Sequence, residues 1–520
     1  MPMNFRGGLL AATVCAGALG ATAVPAGAET LADAIALAYQ NNPQLQAQRA
    51  TQRALDESYV QARTNFRPTL SATGSWSYSE SAVPARVAII TGQAFDRNGD
   101  GIPDAGGRSD SALTRAGLTF TQPLWTGGRA AAALNAANAD VLAGRESLRR
   151  VEASVLSSVI QAYADTRRDQ ESLRIRQENV NVLTNQLKES QARFDVGEVT
   201  RTDVAQSQAR LAQAQALLQQ SVAQLAITRA GYATLVGQNP GTLEPEPSLA
   251  FMLPSDPDEA YKVAEQFNPQ LRAQQFAEEA SRARVAGARA ERMPTLGVQA
   301  TLDFRNQVRE EIWDRDFFTR GSSLGVQVQV PLFSGGLVSS RVRQAVERNN
   351  ADRITVEGVR RNVLQGVTQF WSQLVAARAN IVSSEEQVRA AMIAAEGTRE
   401  EQKVGLRTTI DVLNAEQELR QAELNQVSSR RDEYVAASNV LATMGRLEAK
   451  NLIPAVQQYD AAKNFRKLRI TWGWVPWEEP VAIVDQALTP WPAAAPAEKP
   501  TEKAIGPGLQ PPPAVSAGRK

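Results

Sequence analysis

The chain contains no histidine and a single cysteine, and these two absences exclude most site chemistry before any motif is considered. Without imidazole there is no Ser-His-Asp triad, no His-ligated zinc and no histidine general base. Excess charge is also missing. The 56 Lys plus Arg residues stand against 55 Asp plus Glu, so no basic field is available to hold a nucleic acid. Long hydrophobic runs are scarce too. After residue 28 nothing approaches the ~18 consecutive apolar residues of a transmembrane helix, so any membrane crossing must be made by strands. Hydrophobic residues total 43%, slightly under the ~45–50% of ordinary globular chains.

Residues 1–28 read as a secretory signal peptide, with Arg6 in a short basic region, an apolar stretch from Leu9 to Val24 and Ala26-Gly27-Ala28 as the cleavage site. Cys15 lies inside it, and Val14 before it is a poor match to a lipoprotein site. The exported remainder is expected to be free of cysteine and close to neutral.

The remainder repeats itself. Asn42-Pro43-Gln44-Leu45 recurs as Asn268-Pro269-Gln270-Leu271, and Pro68-Thr69-Leu70 recurs as Pro294-Thr295-Leu296, at one constant offset. At a second, shorter offset Pro123-Leu124 with Gly127-Gly128 matches Pro331-Leu332 with Gly335-Gly336. Gly197, Asp203 and Gly237 match Gly405, Asp411 and Gly445 in the same way. The chain is a tandem duplication, and the change of offset places a longer loop in the first copy between Leu70 and Pro123.

Hydrophobic period locates the elements. Leu70, Ala72, Gly74, Trp76 and Tyr78 alternate with Thr and Ser, and Leu296, Val298, Ala300, Leu302 and Phe304 alternate in the second copy, as do Leu324, Val326, Val328 and Val330. Each copy therefore supplies an amphipathic β-hairpin, about 69–124 and about 295–333, with strands of about 9–12 residues, the length that crosses a bilayer when tilted. Trp76, Trp125 and Phe333 fall near strand ends, as a membrane-interface belt would, with ordinary packing where strands meet helices as the alternative. No proline interrupts Pro123 to Pro240 or Pro331 to Pro454, and good helix formers fill both stretches. Sevenfold spacing at Leu134, Val141, Leu148 and Val155, and at Val367, Leu374, Ile381 and Val388, gives coiled-coil-like seams.

Gly197 and Gly405 break these runs, and Thr200-x-x-Asp203 and Thr408-x-x-Asp411 restart a helix as capping boxes. The organisation expected is a first repeat at 29–239 with a long helix at 128–195 and a return helix at 200–238. A linker at 240–256 leads to a second repeat at 257–447, with helices at 335–403 and 408–445. An extension at 448–520 follows, Pro-rich and expected to be disordered from about residue 480. At 1.5 Å per residue the first long helix spans ~100 Å, and residues 43–66 stacked on 200–238 span ~95 Å, so the shorter pieces can run beside the long one as a cylinder wall. Four strands cannot close a membrane barrel, which takes at least about eight, and open edges in lipid are forbidden; several copies must close it together.

On these residues the chain resembles the TolC family of outer-membrane efflux proteins, over about 29–447. The resemblance rests on the duplication, the Pro-Thr-Leu strand starts, the Pro-Leu-x-x-Gly-Gly junctions and the turns Val196–Asp203 and Val404–Asp411. It implies an α+β membrane protein, a homotrimeric channel-tunnel with four strands per protomer in a 12-strand outer-membrane barrel and an α-helical barrel across the periplasm. Implied partners are outer-membrane lipid, a periplasmic adaptor protein and an inner-membrane ABC or proton-driven transporter. The implied function is passive export of proteins (type I secretion) or of small toxic compounds (efflux). Carried over residue by residue, an acidic constriction ring falls on Asp411, with polar links at Arg407, Thr202 and Asp203. The second ring position is Asn414 and the aromatic link position is Gln402, both departures from the family pattern. The bland reading of Asp203 and Asp411 is helix capping alone.

Asp96, Asn98, Asp100 and Asp104, with Gly101 at the sixth position of their loop, resemble the start of a calcium loop, although Gly107 stands where a bidentate acid belongs. A plain hydrophilic loop is the alternative, and no other cofactor is expected. Gly321-Ser322-Ser323-Leu324-Gly325 fits a serine-nucleophile pattern, but with no histidine and a strand following it, no enzyme is expected. The rival reading is a periplasmic adaptor or structural coiled-coil assembly protein, which would lack lipid-facing strands.

Overall fold

The structure is a computed structural model that describes residues 29–83, 107–306, 318–454, 456–468 and 470–488. The expected signal peptide with Cys15, the calcium-loop candidates Asp96, Asn98, Asp100 and Asp104, and the tail beyond residue 488 lie outside the described residues.

Two short helices, α1 (Leu31–Asn41) and α2 (Pro43–Arg63), lead into β1 (Thr69–Val83) and β2 (Gly107–Trp125). The long α3 (Arg129–Asp195) and its return helix α4 (Arg201–Val236) complete the first copy. The second copy repeats the order with α5 (Pro257–Phe267), α6 (Pro269–Ala290), β3 (Thr295–Asn306), β4 (Thr319–Gln329), α7 (Leu337–Lys403) and α8 (Thr409–Thr443). The extension adds a single helical turn at Ala449–Leu452 and two longer helices, α9 (Ala461–Leu468) and α10 (Glu478–Ala487).

The strands form one antiparallel sheet in the order β1-β2-β3-β4, so the two hairpins are joined through β2 and β3 and the sheet edges are β1 and β4. Register sorts the side chains. Leu70 pairs with Phe120, which pairs with Ala300, which pairs with Leu324; Gln122 pairs with Val298, which pairs with Val326, and Trp125 with Leu296, which pairs with Val328. One face is thus apolar, while the other carries rows such as Ser71, Thr119, Thr301 and Ser323. The first hairpin is longer than the expected strand length, with 15 residues in β1 and 19 in β2, because pairing continues out to Val83 and Gly107.

Below the sheet the helices form a layer. Near the strands α2, α3, α6 and α7 lie side by side, and farther away α4, α3, α8 and α7 do so. Both short helices stand on the ends of return helices through the same joint. Asn42 caps α2 by accepting from the amides of Gln44 and Leu45, and its side-chain amide donates to the Leu235 carbonyl at the end of α4. Asn268 does the same for α6, reaching the Thr443 carbonyl at the end of α8 at 2.8 Å. Each Asn is an N-cap, worth ~1 kcal/mol, and also a splice between two helices. The Asn-Pro-Gln-Leu repeat has this physical cause.

The main hydrophobic core surrounds these joints, where α1 and α5 pack on the long helices. Ile35, Tyr39, Ile160, Tyr163, Tyr232, Leu374 and Leu441 are all buried there, each large aliphatic contributing ~1.5–3 kcal/mol. Among the described residues no helix is long and apolar enough to cross a membrane.

Residues 480–488 are ordered, contrary to the disorder expected from about 480. Helix α10 lies against the strand-to-helix junction of the first copy. Glu478 bridges the buried Arg63 and Arg67, with Nε to carboxylate distances of 2.5 and 2.8 Å. Asp485, fully buried, accepts from the amides of Thr126, Gly128 and Ala131 and so caps α3, where four orphan N–H groups and the positive helix end favour a carboxylate. Prolines begin in earnest only after this helix, and Glu478 and Asp485, two of its three acids, hold it in place.

Candidate functional site at the hairpin tips

Helices α3 and α7 end at matched turns. Gly197 N–H bonds back to Phe194 and Glu198 N–H to Arg193; Gly405 N–H bonds to Gln402 and Leu406 N–H to Glu401. This is the Schellman arrangement, and it needs the left-handed backbone that glycine adopts freely, with φ 81° at Gly197 and 80° at Gly405. The return helices start at capping boxes. The Thr200 amide and hydroxyl donate to Asp203 at 2.9 and 2.7 Å, and those of Thr408 to Asp411 at 3.0 and 2.7 Å. Val196, Val404 and Leu406 are exposed at the ends of the turns.

Asp411 and Arg407 are electrostatically settled within their own turn. The Thr408 hydroxyl holds the Asp411 carboxyl below its usual range, helped by the Thr408 N–H and the Arg407 charge. Arg407 donates from Nε to Glu401 at 2.8 Å, which raises its proton affinity further. Gln402 is buried and its amide lies 3.4 Å from the Thr409 hydroxyl, inside the hairpin. Thr202 is exposed on the first turn of α4. The positions carried over as links to neighbouring helices are therefore, for Arg407, Gln402 and Asp203, engaged within their own hairpins.

Asn414 is engaged between hairpins. Arg210 on α4 donates to Asn414 Oδ1 at 3.0 Å and to Gln417 Oε1 at 2.6 Å on α8. Sequence reasoning missed Arg210, which reads as one more cation on a polar helix; only the knowledge that α4 and α8 are neighbours exposes it. A second unread feature is the ionic knot of buried Glu416, held by Arg399 and flanked by Arg420, which itself binds Glu423 at 2.8 Å. The described residues contain no cluster of acids, cysteines or histidines disposed to hold a metal.

The outer membrane efflux protein family model matches residues 34–238 and 260–446. The outer membrane efflux protein BepC of Brucella suis biovar 1 (strain 1330) is 32% identical over 465 residues, covering 89% of this chain and 96% of its own. The alkaline protease secretion protein AprF of Pseudomonas aeruginosa is 28% identical over 304 residues, covering 58% of this chain and 63% of its own. The CmeC outer membrane channel of Campylobacter jejuni superposes with a TM-score of 0.68 at 16% identity, covering 84% of this chain and 89% of that one. A duplicated chain with joined amphipathic hairpins, paired capped turns and this match across both copies belongs to the outer membrane efflux protein family, the TolC-like channel proteins of the outer membrane.

Proposed function

We propose that three copies of the chain close their four-stranded sheets into a 12-strand barrel and their helices into a periplasmic tunnel, through which cargo passes passively to the exterior. The observation that carries this reading is the sheet itself, apolar on one face, polar on the other, with β1 and β4 at open edges. Leu324 on β4 is 78% exposed in the single chain. In lipid such edges must be paired, and pairing β4 of one copy with β1 of the next pairs them all. The polar rows then line the lumen.

In this reading the capped turns point away from the membrane, and their exposed Val196, Val404 and Leu406 are the apolar contacts for a periplasmic adaptor, which connects to an inner-membrane ABC or proton-driven transporter. Asp411 forms the constriction ring, and Arg407 and the Arg210–Asn414 contact hold the tips closed. Small toxic compounds are the cargo suggested by the whole-length relative named an efflux protein. Protein export is the second reading, favoured by the partial match to a protease secretion protein.

The test is native mass spectrometry of the detergent-purified protein, followed by planar-bilayer recording. A trimer with a closed, cation-blocked conductance is expected, and block by multivalent cations should weaken in Asp411→Asn. A monomer, or a chain that fractionates with the soluble periplasm, would sink the reading and favour an adaptor.

A further inference from the structure

The extension is pinned inward by acids and presents apolar groups outward, and we propose that residues 470–488 form a collar seated in the phospholipid headgroup region of the periplasmic leaflet. The collar rests on the barrel reading above, because it takes the apolar face of the sheet to be the lipid-facing one.

Three observations carry it. The first is position. Trp477 donates its indole N–H to Gln122 Oε1 at 3.1 Å, and Gln122 stands by register in a row of the apolar face with Val298 and Val326. Pro480, Val481, Val484 and Leu488 share an apolar cleft with Trp125 and Leu296, the last row of that face. The strap therefore lies on the outer side of the sheet, level with the strand ends, and its apolar surface continues the sheet's own.

The second is what remains exposed once Glu478 and Asp485 are turned in. Trp472 is fully exposed, and Ile470, Ile483, Leu488, Val484, Trp477 and Trp474 are all exposed to a substantial degree. Indoles prefer the boundary between hydrocarbon and water, where a large apolar ring and one N–H donor are both satisfied. The third is charge and length. Lys463 and Lys467, both exposed on α9 just before the strap, suit anionic headgroups, and the 10 residues of α10 are far too few to span a bilayer. A segment of this kind lies on the membrane surface.

The experiment uses full-length trimers carrying Cys15→Ser and one new cysteine labelled with an NBD fluorophore, reconstituted in phosphatidylethanolamine and phosphatidylglycerol vesicles. Trp472→Cys reports on the strap, with Ile483→Cys as a second probe should the first fail to assemble. Leu324→Cys reports on the sheet face and Lys450→Cys on the aqueous helical region. Doxyl-labelled phospholipid should quench the strap and Leu324 probes at least twofold and leave the Lys450 probe unchanged. Quenching at 324 with a strap probe as open to aqueous iodide as the one at 450 would overturn the collar alone. Absence of quenching at both would overturn the barrel reading and the collar with it. A strap probe shielded from iodide and lipid alike would mean that a neighbouring copy covers it, which also overturns the proposal.

Discussion

Arg210 Nη2 and Asn414 Oδ1 stand 3.0 Å apart, on helices that belong to different halves of the duplication. With Gln417 they form the charged hydrogen-bonded contact between the return helices closest to the tips described above. Removing it by Arg210→Gln should cost ~0.5–1.5 kcal/mol per copy. If three copies act together, that biases a two-state tip by about 1.5–4.5 kcal/mol and raises the open population about tenfold or more. Single-channel conductance should rise with trimer yield unchanged; unchanged conductance at low and high salt would leave Arg210 as a surface charge.

Arg407 is braced by Glu401 in its own turn, so its role can be separated from that of its partner. On the proposed reading Arg407 holds the closed trimer across copies, so Arg407→Ser should raise single-channel conductance and Glu401→Gln should not; near-wild-type conductance in both variants would show that the pair only braces its own turn.

Acid should loosen the start of α8. The Asp411 carboxyl is depressed by Thr408 and then by Arg407. A depressed carboxylate stabilises the fold above its unfolded value, ~3.9, and that contribution disappears as pH falls through the lower folded value. Hydrogen exchange at the amides of Asp411 and Val412 should therefore speed up, relative to its intrinsic rate, only below about pH 4. Protection that is flat to pH 2 in the wild type would contradict the assignment, and Asp411→Asn should show no such acid step.

Two glycines with similar backbones should respond very differently to alanine. Gly405, φ 80°, has open space around its missing side chain, whereas at Gly445, φ 69°, a Cβ would sit 2.2 Å from the Phe267 carbonyl oxygen. Gly405→Ala should cost only the left-handed strain, ~1–2 kcal/mol. Gly445→Ala must also push apart the joint between α8 and α6 and should sharply lower the temperature at which the trimer dissociates on a gel. Equal losses for the two would refute this.

Glu478→Ala should release the strap, because it leaves two buried guanidinium groups without their shared carboxylate, a loss of about 3–5 kcal/mol. Trypsin should then cut after Lys467 in the variant and spare it in the wild-type trimer.

The parts of this molecule that could be read from its sequence are those with a period or a repeated motif. Proline-free stretches with sevenfold seams became the long helices, and Thr408-x-x-Asp411 became a capping box because the spacing itself makes the hydrogen bonds. The strap was hidden because Glu478 and Asp485 find their partners 411 and 357 residues away, at Arg67 and Gly128, and such pairing leaves no local pattern. Arg210 was hidden for the same reason. Gln402, a departure from the family pattern at the aromatic link position, is buried and faces Thr409 across the tight turn, a contact that analogy alone does not show.

The open edges at β1 and β4 also bear on biogenesis. On the barrel reading proposed above, a lone protomer carrying two rows of unpaired backbone groups has no low-energy route into hydrocarbon, which makes entry into the membrane a collective step. Newly exported chains should accumulate in the periplasm until they meet, and the yield of inserted channel should climb more steeply than linearly with expression. Expression level would then set not only how many channels a cell has but whether it has any.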